Sequence, residues 1–106
     1  MTKWIDIGPE KDLPPGGRLS ATVEGHKVLV LNLHDKLVAV ENQCTHAALP
    51  LDTGELAGCA LTCLYHGFTF DVTTGKNVDD PQDTPLRTYH VKCEGGRVLV
   101  GIEPLF

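Results

Sequence analysis

Nowhere in the 106 residues does an apolar run approach the length of a membrane span, which takes roughly 18 residues. No secretory leader is expected either, because Met1-Thr2-Lys3-Trp4-Ile5-Asp6 reaches an acidic residue before any apolar stretch develops. Basic charge is scarce: nine Lys and Arg stand against fourteen Asp and Glu, a formal charge of −5. Nucleic acid and anionic membrane surfaces both call for a basic face, so neither is an expected partner, and a protein with a basic patch fits better. There is no internal repeat, no low-complexity tract and no composition shift that would mark a second domain. These absences predict a cytoplasmic protein of one domain, residues 1–106. Its core is modest, since a chain of this size buries only about 60 to 70% of the surface its unfolded form exposes.

What is present is punctuation and short apolar runs. Eleven Gly and seven Pro, with runs such as Val28-Leu29-Val30-Leu31 and Val98-Leu99-Val100, favour short strands and tight turns, hence an all-β fold. Strands are predicted from Trp4 to Ile7, Arg18 to Val23, Lys27 to Leu33 and Leu37 to Glu41. The loop Asp12-Leu13-Pro14-Pro15-Gly16-Gly17 and the turns Glu24-Gly25-His26 and His34-Asp35-Lys36 separate them. A closing hairpin alternates Tyr89, Val91 and Cys93 with Thr88, His90 and Lys92, then turns at Glu94-Gly95-Gly96 into Val98 to Ile102. Between Asn42 and Gly75 the texture changes to Gly-punctuated loops with two strand-like pieces, Cys59 to Thr62 and Phe68 to Val72. Asn77 to Pro85 reads as a structureless surface connector.

That middle segment holds the chemistry. Cys44-Thr45-His46 places a thiol and an imidazole at i and i+2, which point the same way in an extended chain. Cys63-Leu64-Tyr65-His66 repeats the pair with a three-residue offset suited to a tight turn. Gly67 follows, as expected of a position where backbone has to pass close to a metal. The sixteen residues from Ala47 to Thr62 suffice for one excursion out and back, so two loop tips face one site. Four cysteines in a small secreted chain would suit a disulfide framework, whereas in a reducing compartment such clusters bind metal or do redox chemistry. Each loop gives one Cys and one His, while common zinc motifs pair like with like. A Cys2His2 zinc site that stabilises an interaction module stays open as the redox-silent alternative.

Cys-x-His followed by Cys-x-x-His resembles the Rieske signature, in which two His replace two Cys on one iron of a [2Fe-2S] cluster. Gly54-Glu55-Leu56, the stretch His66-Gly67-Phe68-Thr69-Phe70-Asp71-Val72-Thr73-Thr74-Gly75 and Pro85-Leu86-Arg87-Thr88-Tyr89 are similar to Rieske ferredoxins of bacterial aromatic-ring dioxygenase systems. The resemblance implies a Rieske fold of short antiparallel strands, with a two-loop cluster-binding subdomain at about 42–75. It implies one [2Fe-2S] cluster per chain, Cys44 and Cys63 on one iron, His46 and His66 on the other. Thiolates load negative charge on their iron, so an added electron settles on the imidazole-ligated iron, and His46 and His66 become its exit. The implied function is one-electron transfer, without catalysis, from a flavoprotein reductase to a terminal oxygenase, both docking near His46 and His66. The same carrier serving another oxidoreductase is the alternative. A fused oxygenase domain is disfavoured because the sequence leaves no room for a mononuclear iron domain.

Three departures bear on tuning. Leu64 stands where many relatives carry Pro, which leaves that loop less stiff. High-potential relatives carry an interloop disulfide at positions matching Leu49 and Tyr65, and a Ser where Phe68 stands here. Without either, the expected potential lies in the lower part of the Rieske range, which spans roughly −150 to +300 mV. The remaining candidates have plainer expected roles. Cys59 and Cys93 are expected to pack in the core, as are Trp4, Phe68, Phe70 and Tyr89. His26, His34 and His90 are expected to be solvated, and Asp79-Asp80 to form a wet loop or part of a docking surface.

Overall fold

The computed structural model describes residues 2–34, 36–43, 51, 54–63, 67–80, 82 and 85–102. Among the described residues nine strands follow in chain order: β1 Lys3–Pro9, β2 Arg18–Val23, β3 His26–Asn32, β4 Leu37–Glu41, β5 Glu55–Ala57, β6 Ala60–Thr62, β7 Thr69–Asp71, β8 Thr88–Glu94 and β9 Arg97–Ile102. A 3-10 turn, Glu10–Asp12, links β1 to the proline loop. Six strands form one antiparallel sheet in the order β1-β9-β8-β4-β3-β2, and three form a second in the order β5-β6-β7. The all-β expectation holds. No helix among the described residues is long and apolar enough to cross a membrane.

The large sheet curls on itself. A bulge between Asp6 and Gly8 shifts the β1–β9 register, and bulges bend and twist the strand that carries them. Gly8 thereby comes up against Leu19 of β2, the strand at the other edge. Two-residue turns set the tight hairpins. Glu24 and Gly25 both have positive φ, 52° and 82°, the conformation whose twist matches the flanking strands. His26 is therefore the first residue of β3, rather than part of the turn as expected.

The run Val28-Leu29-Val30-Leu31 explains how the two sheets are joined. Successive strand residues face opposite ways, and all four are fully buried, so β3 is covered on both faces. Val28 and Val30 enter a core with Leu13, Val23, Ala39, Val98 and Val100 inside the curled sheet. Leu29 and Leu31 enter a second core with Val40, Leu51, Leu61, Cys63, Phe70 and Leu86. That second core is where the small sheet packs, and burying a side chain such as Phe70 there contributes on the order of 1.5–3 kcal/mol.

Several expectations are corrected. Trp4 is 40% exposed, because Ile5 and Ile7 take the inward positions of β1 and alternation sends Trp4 out. Lys92 Nζ lies 4.2 Å from its ring centroid. Cys59 and Cys93 are exposed rather than core residues: Cys59 stands in the β5–β6 turn, and Cys93 lies near the end of β8. The stretch after Asp71 is not all surface, since Asn77 is fully buried. Its Oδ1 accepts the N–H groups of Asp79 (2.9 Å) and Asp80 (3.2 Å), which fixes the start of the connector. A third strand, β5, joins the two short pieces expected in the middle segment.

Candidate metal centre

The small sheet aligns the roots of both ligand loops. Glu55 pairs with Thr62 across β5 and β6, and Thr62 pairs with Thr69 across β6 and β7. These three residues form one row at the end of the sheet, with the Thr62 and Thr69 hydroxyls 3.0 Å apart. The segment holding Cys44 and His46 re-enters the sheet at Glu55. The segment holding Cys63 and His66 leaves after Thr62 and returns at Thr69. Antiparallel register alone therefore sends both loops out from the same end.

The second loop begins with a fixed residue. The Cys63 N–H donates to the Phe68 carbonyl, and the Gly67 N–H donates to the Cys63 carbonyl, each at 2.8 Å. The two bonds bring Gly67 and Phe68 back against Cys63. Gly67 has φ of +73° with no protein atom within 4 Å of where a Cβ would sit, so the turn's backbone conformation selects glycine there. Cys63 itself is 1% exposed and is in no disulfide. Its core neighbours Leu61, Phe70 and Val72 make an apolar wall.

The first loop is tied at both ends. The Asn42 N–H donates to the Lys27 carbonyl at 2.8 Å, and Asn42 Oδ1 accepts the Leu51 N–H at 2.8 Å. Leu51 is fully buried, and its carbonyl accepts the Gly54 N–H at 2.9 Å. Gly54 is then held against β6, where a Cβ would lie 2.5 Å from the Thr62 carbonyl oxygen; no other residue allows that approach. Arg18 Nη1 of β2 donates to the Gly54 carbonyl at 2.7 Å, bracing the small sheet on the large one. The base of the first loop thus touches the residue preceding Cys63.

Of the four predicted ligands, Cys63 is placed by the structure, and Cys44, His46 and His66 lie outside the described residues. Asn42, Arg18 and Asn77 were missed in the sequence. Only Asn42 left a signal, a turn-forming residue between a β-branched strand and Cys44. Beside the second loop, Asp79 Oδ2 accepts the Thr69 N–H at 3.1 Å. At the far end of β7 the Thr73 hydroxyl and N–H, assisted by the Cys59 thiol, hold the Asp71 carboxyl below its usual range. His26 was expected to be solvated, yet it is half-buried and shares a hydrogen bond of 3.3 Å with the Tyr89 hydroxyl.

A curled β-sheet with a three-stranded layer defines a small all-β domain, and the two segments in which the sequence places a Cys and His pair both attach at one end of that layer. Residues 3–90 match the Rieske [2Fe-2S] domain family, and the chain belongs to that family. Its cofactor is a [2Fe-2S] cluster, and the donor set of two thiols and two imidazoles in the loops fits that group. The chain is 36% identical over 100 residues to the ferredoxin component of the naphthalene 1,2-dioxygenase system of Pseudomonas aeruginosa, covering 94% of this chain and 96% of that one. It is 38% identical over 103 residues to the biphenyl 2,3-dioxygenase ferredoxin component of Rhodococcus jostii strain RHA1, covering 97% and 94%. In three dimensions it is similar to a chain in the complex of reduced oxygenase and oxidised ferredoxin of carbazole 1,9a-dioxygenase. The TM-score is 0.82 at 31% identity, covering 92% of this chain and 91% of the other.

Proposed function

We propose that this protein is the ferredoxin component of an aromatic-ring hydroxylating system, receiving one electron from a flavoprotein reductase and delivering it to a terminal oxygenase. It is an electron-transfer protein, not an enzyme. The observation that carries this function is the near end-to-end match to ferredoxin components, 94% of this chain against 96% of the naphthalene-system relative.

Cys44, His46, Cys63 and His66 are proposed as the four ligands, within a cluster-binding subdomain at about 42–75 of one domain. When bound, the [2Fe-2S] group supplies the one-electron chemistry. The chain's own residues hold it and shape its surroundings. Cys63 contributes a thiolate from an apolar wall that excludes water, and Asn42 and Gly54 hold the root of the other loop against β6. His46 and His66 are proposed to face the docking partner. A cytoplasmic location suits a chain with exposed free thiols at Cys59 and Cys93.

Iron and acid-labile sulfide analysis together with a reduction assay tests this function. A reddish-brown protein that accepts one electron per chain and passes it to a terminal oxygenase supports it. A colourless, zinc-containing protein overturns it in favour of a Cys2His2 structural site.

A further inference from the structure

Beside the root of the first loop, outside the centre described above, lies a recess of about 150 Å³ whose lining includes His26, Lys27, Glu41, Gln43, Arg87 and Tyr89. Gln43 immediately precedes Cys44, so the recess borders the proposed cluster end. Neither Lys27 nor Arg87 has an ion-pair partner among the described residues. The one carboxylate in the lining, Glu41, accepts the Arg87 backbone N–H at 3.2 Å through Oε1, which leaves the guanidinium uncommitted. Two cations thus meet one carboxylate, with the Gln43 side-chain amide as a further donor. The back wall is rigid: the His26 and Tyr89 rings meet edge to face at 5.7 Å and share a hydrogen bond. Glu41 and Arg87 are also joined through backbone, the Glu41 N–H donating to the Arg87 carbonyl at 2.8 Å.

We propose that this recess receives a carboxylate side chain of the terminal oxygenase, paired with Arg87 and Lys27. The contact rests on the carrier function above. A volume near 150 Å³ admits an Asp or Glu side chain and little more, and a planar guanidinium matches a carboxylate in two parallel bonds. The chain as a whole carries −5, and Asp79 and Asp80 flank the second loop, where Asp79 is fixed to Thr69. A cationic spot beside one loop and carboxylates beside the other make the cluster end bipolar. Net charge attracts a basic partner, and this local reversal selects one orientation of it, which is how interface charge confers specificity.

The test uses the intact holoprotein with purified reductases and oxygenases of the naphthalene and biphenyl dioxygenase systems, following separately its reduction by reductase and its oxidation by oxygenase. Arg87→Gln and Lys27→Gln are compared with Lys11→Gln, a charge loss in a groove with Pro14 and His34, away from the recess. Each of the first two is expected to raise the KM for this protein in the oxygenase step by about 5–10-fold. Visible absorption, midpoint potential and kcat are expected to stay unchanged, and Lys11→Gln to shift KM by less than about 2-fold. An unchanged KM, an equal rise in Lys11→Gln, or a rise confined to the reductase step overturns the proposal. Inhibition of the wild type's oxygenase step by inorganic phosphate at constant ionic strength, weakened in Arg87→Gln, supports it, because phosphate competes with the partner carboxylate for the same cations. If the wild type itself reduces neither oxygenase, the carrier function fails and this contact with it, an outcome told apart by the wild type's own behaviour.

Discussion

Asn42 Oδ1 accepts the Leu51 N–H at 2.8 Å, so one side chain closes the loop that carries Cys44 and His46. Asn42→Ala leaves a buried N–H without its partner and is expected to cost about 1–3 kcal/mol. Asn42→Asp keeps an acceptor and should retain most of the stability. Amide exchange reads this directly: Leu51 should exchange much faster in the Ala variant and remain protected in the Asp variant. Equal protection in both would remove the clamp from the account.

Cys63→Ser is expected to abolish the visible absorption of the purified protein, since an alcohol does not replace a soft thiolate ligand. Cys59→Ala and Cys93→Ala should keep it. Both thiols are exposed, and the Cys93 thiol is pushed up in pKa by desolvation and by Glu10 beside it, which disfavours the thiolate. A bleached Cys59→Ala protein would sink the ligand assignment.

Asn77→Ala removes the acceptor for the Asp79 and Asp80 N–H groups from a fully buried position. A loss of about 2–4 kcal/mol is expected, the sum of an emptied polar pocket and unmet donors. Denaturant unfolding measures it; a change below about 0.5 kcal/mol, the scale of an ordinary surface substitution, would show that the buried side chain does not organise the segment.

Much of the frame could be read from residues alone. β2 and β4 fall at the predicted Arg18–Val23 and Leu37–Glu41, because alternation of Leu19, Ala21 and Val23 in one and Val38 and Val40 in the other is bounded by turn-forming residues. β5 was hidden because Glu55-Leu56-Ala57 has little β character of its own and owes its conformation to pairing with β6. Trp4 was misjudged because an aromatic in a strand does not announce which face it takes. Asn77 was misjudged because a polar residue in a Pro- and Asp-rich stretch gives no sign of burial. The family was legible in the Cys-x-His and Cys-x-x-His pattern, because coordination chemistry constrains such spacing, and residues 3–90 match that family. The loop supports were not, because Asn42, Gly54 and Arg18 act through backbone groups distant in sequence.

Arg97 donates to both carboxylate oxygens of Asp6, at 2.8 and 3.0 Å, and that pairing first of all holds the Asp6 carboxyl below its usual range. A carboxylate lowered in the folded state stabilises above its unfolded pKa, near 4, and loses that contribution as pH falls through the folded value. The stability difference between wild type and Asp6→Asn should therefore be constant from neutrality to about pH 5 and shrink below about pH 4. Urea unfolding across that interval checks it, and a difference that persists unchanged at pH 2 would contradict the pairing.

The ligation itself is most directly tested by pulsed EPR on the reduced protein with its histidines labelled with nitrogen-15. One-electron reduction of a [2Fe-2S] centre leaves an unpaired spin, and imidazole bound to the reduced iron couples that spin to its nitrogen. The predicted result is hyperfine coupling to two distinct histidine nitrogens, one lost in His46→Cys and the other in His66→Cys. A paramagnetic centre with no histidine coupling, or no reducible centre at all, would contradict the account.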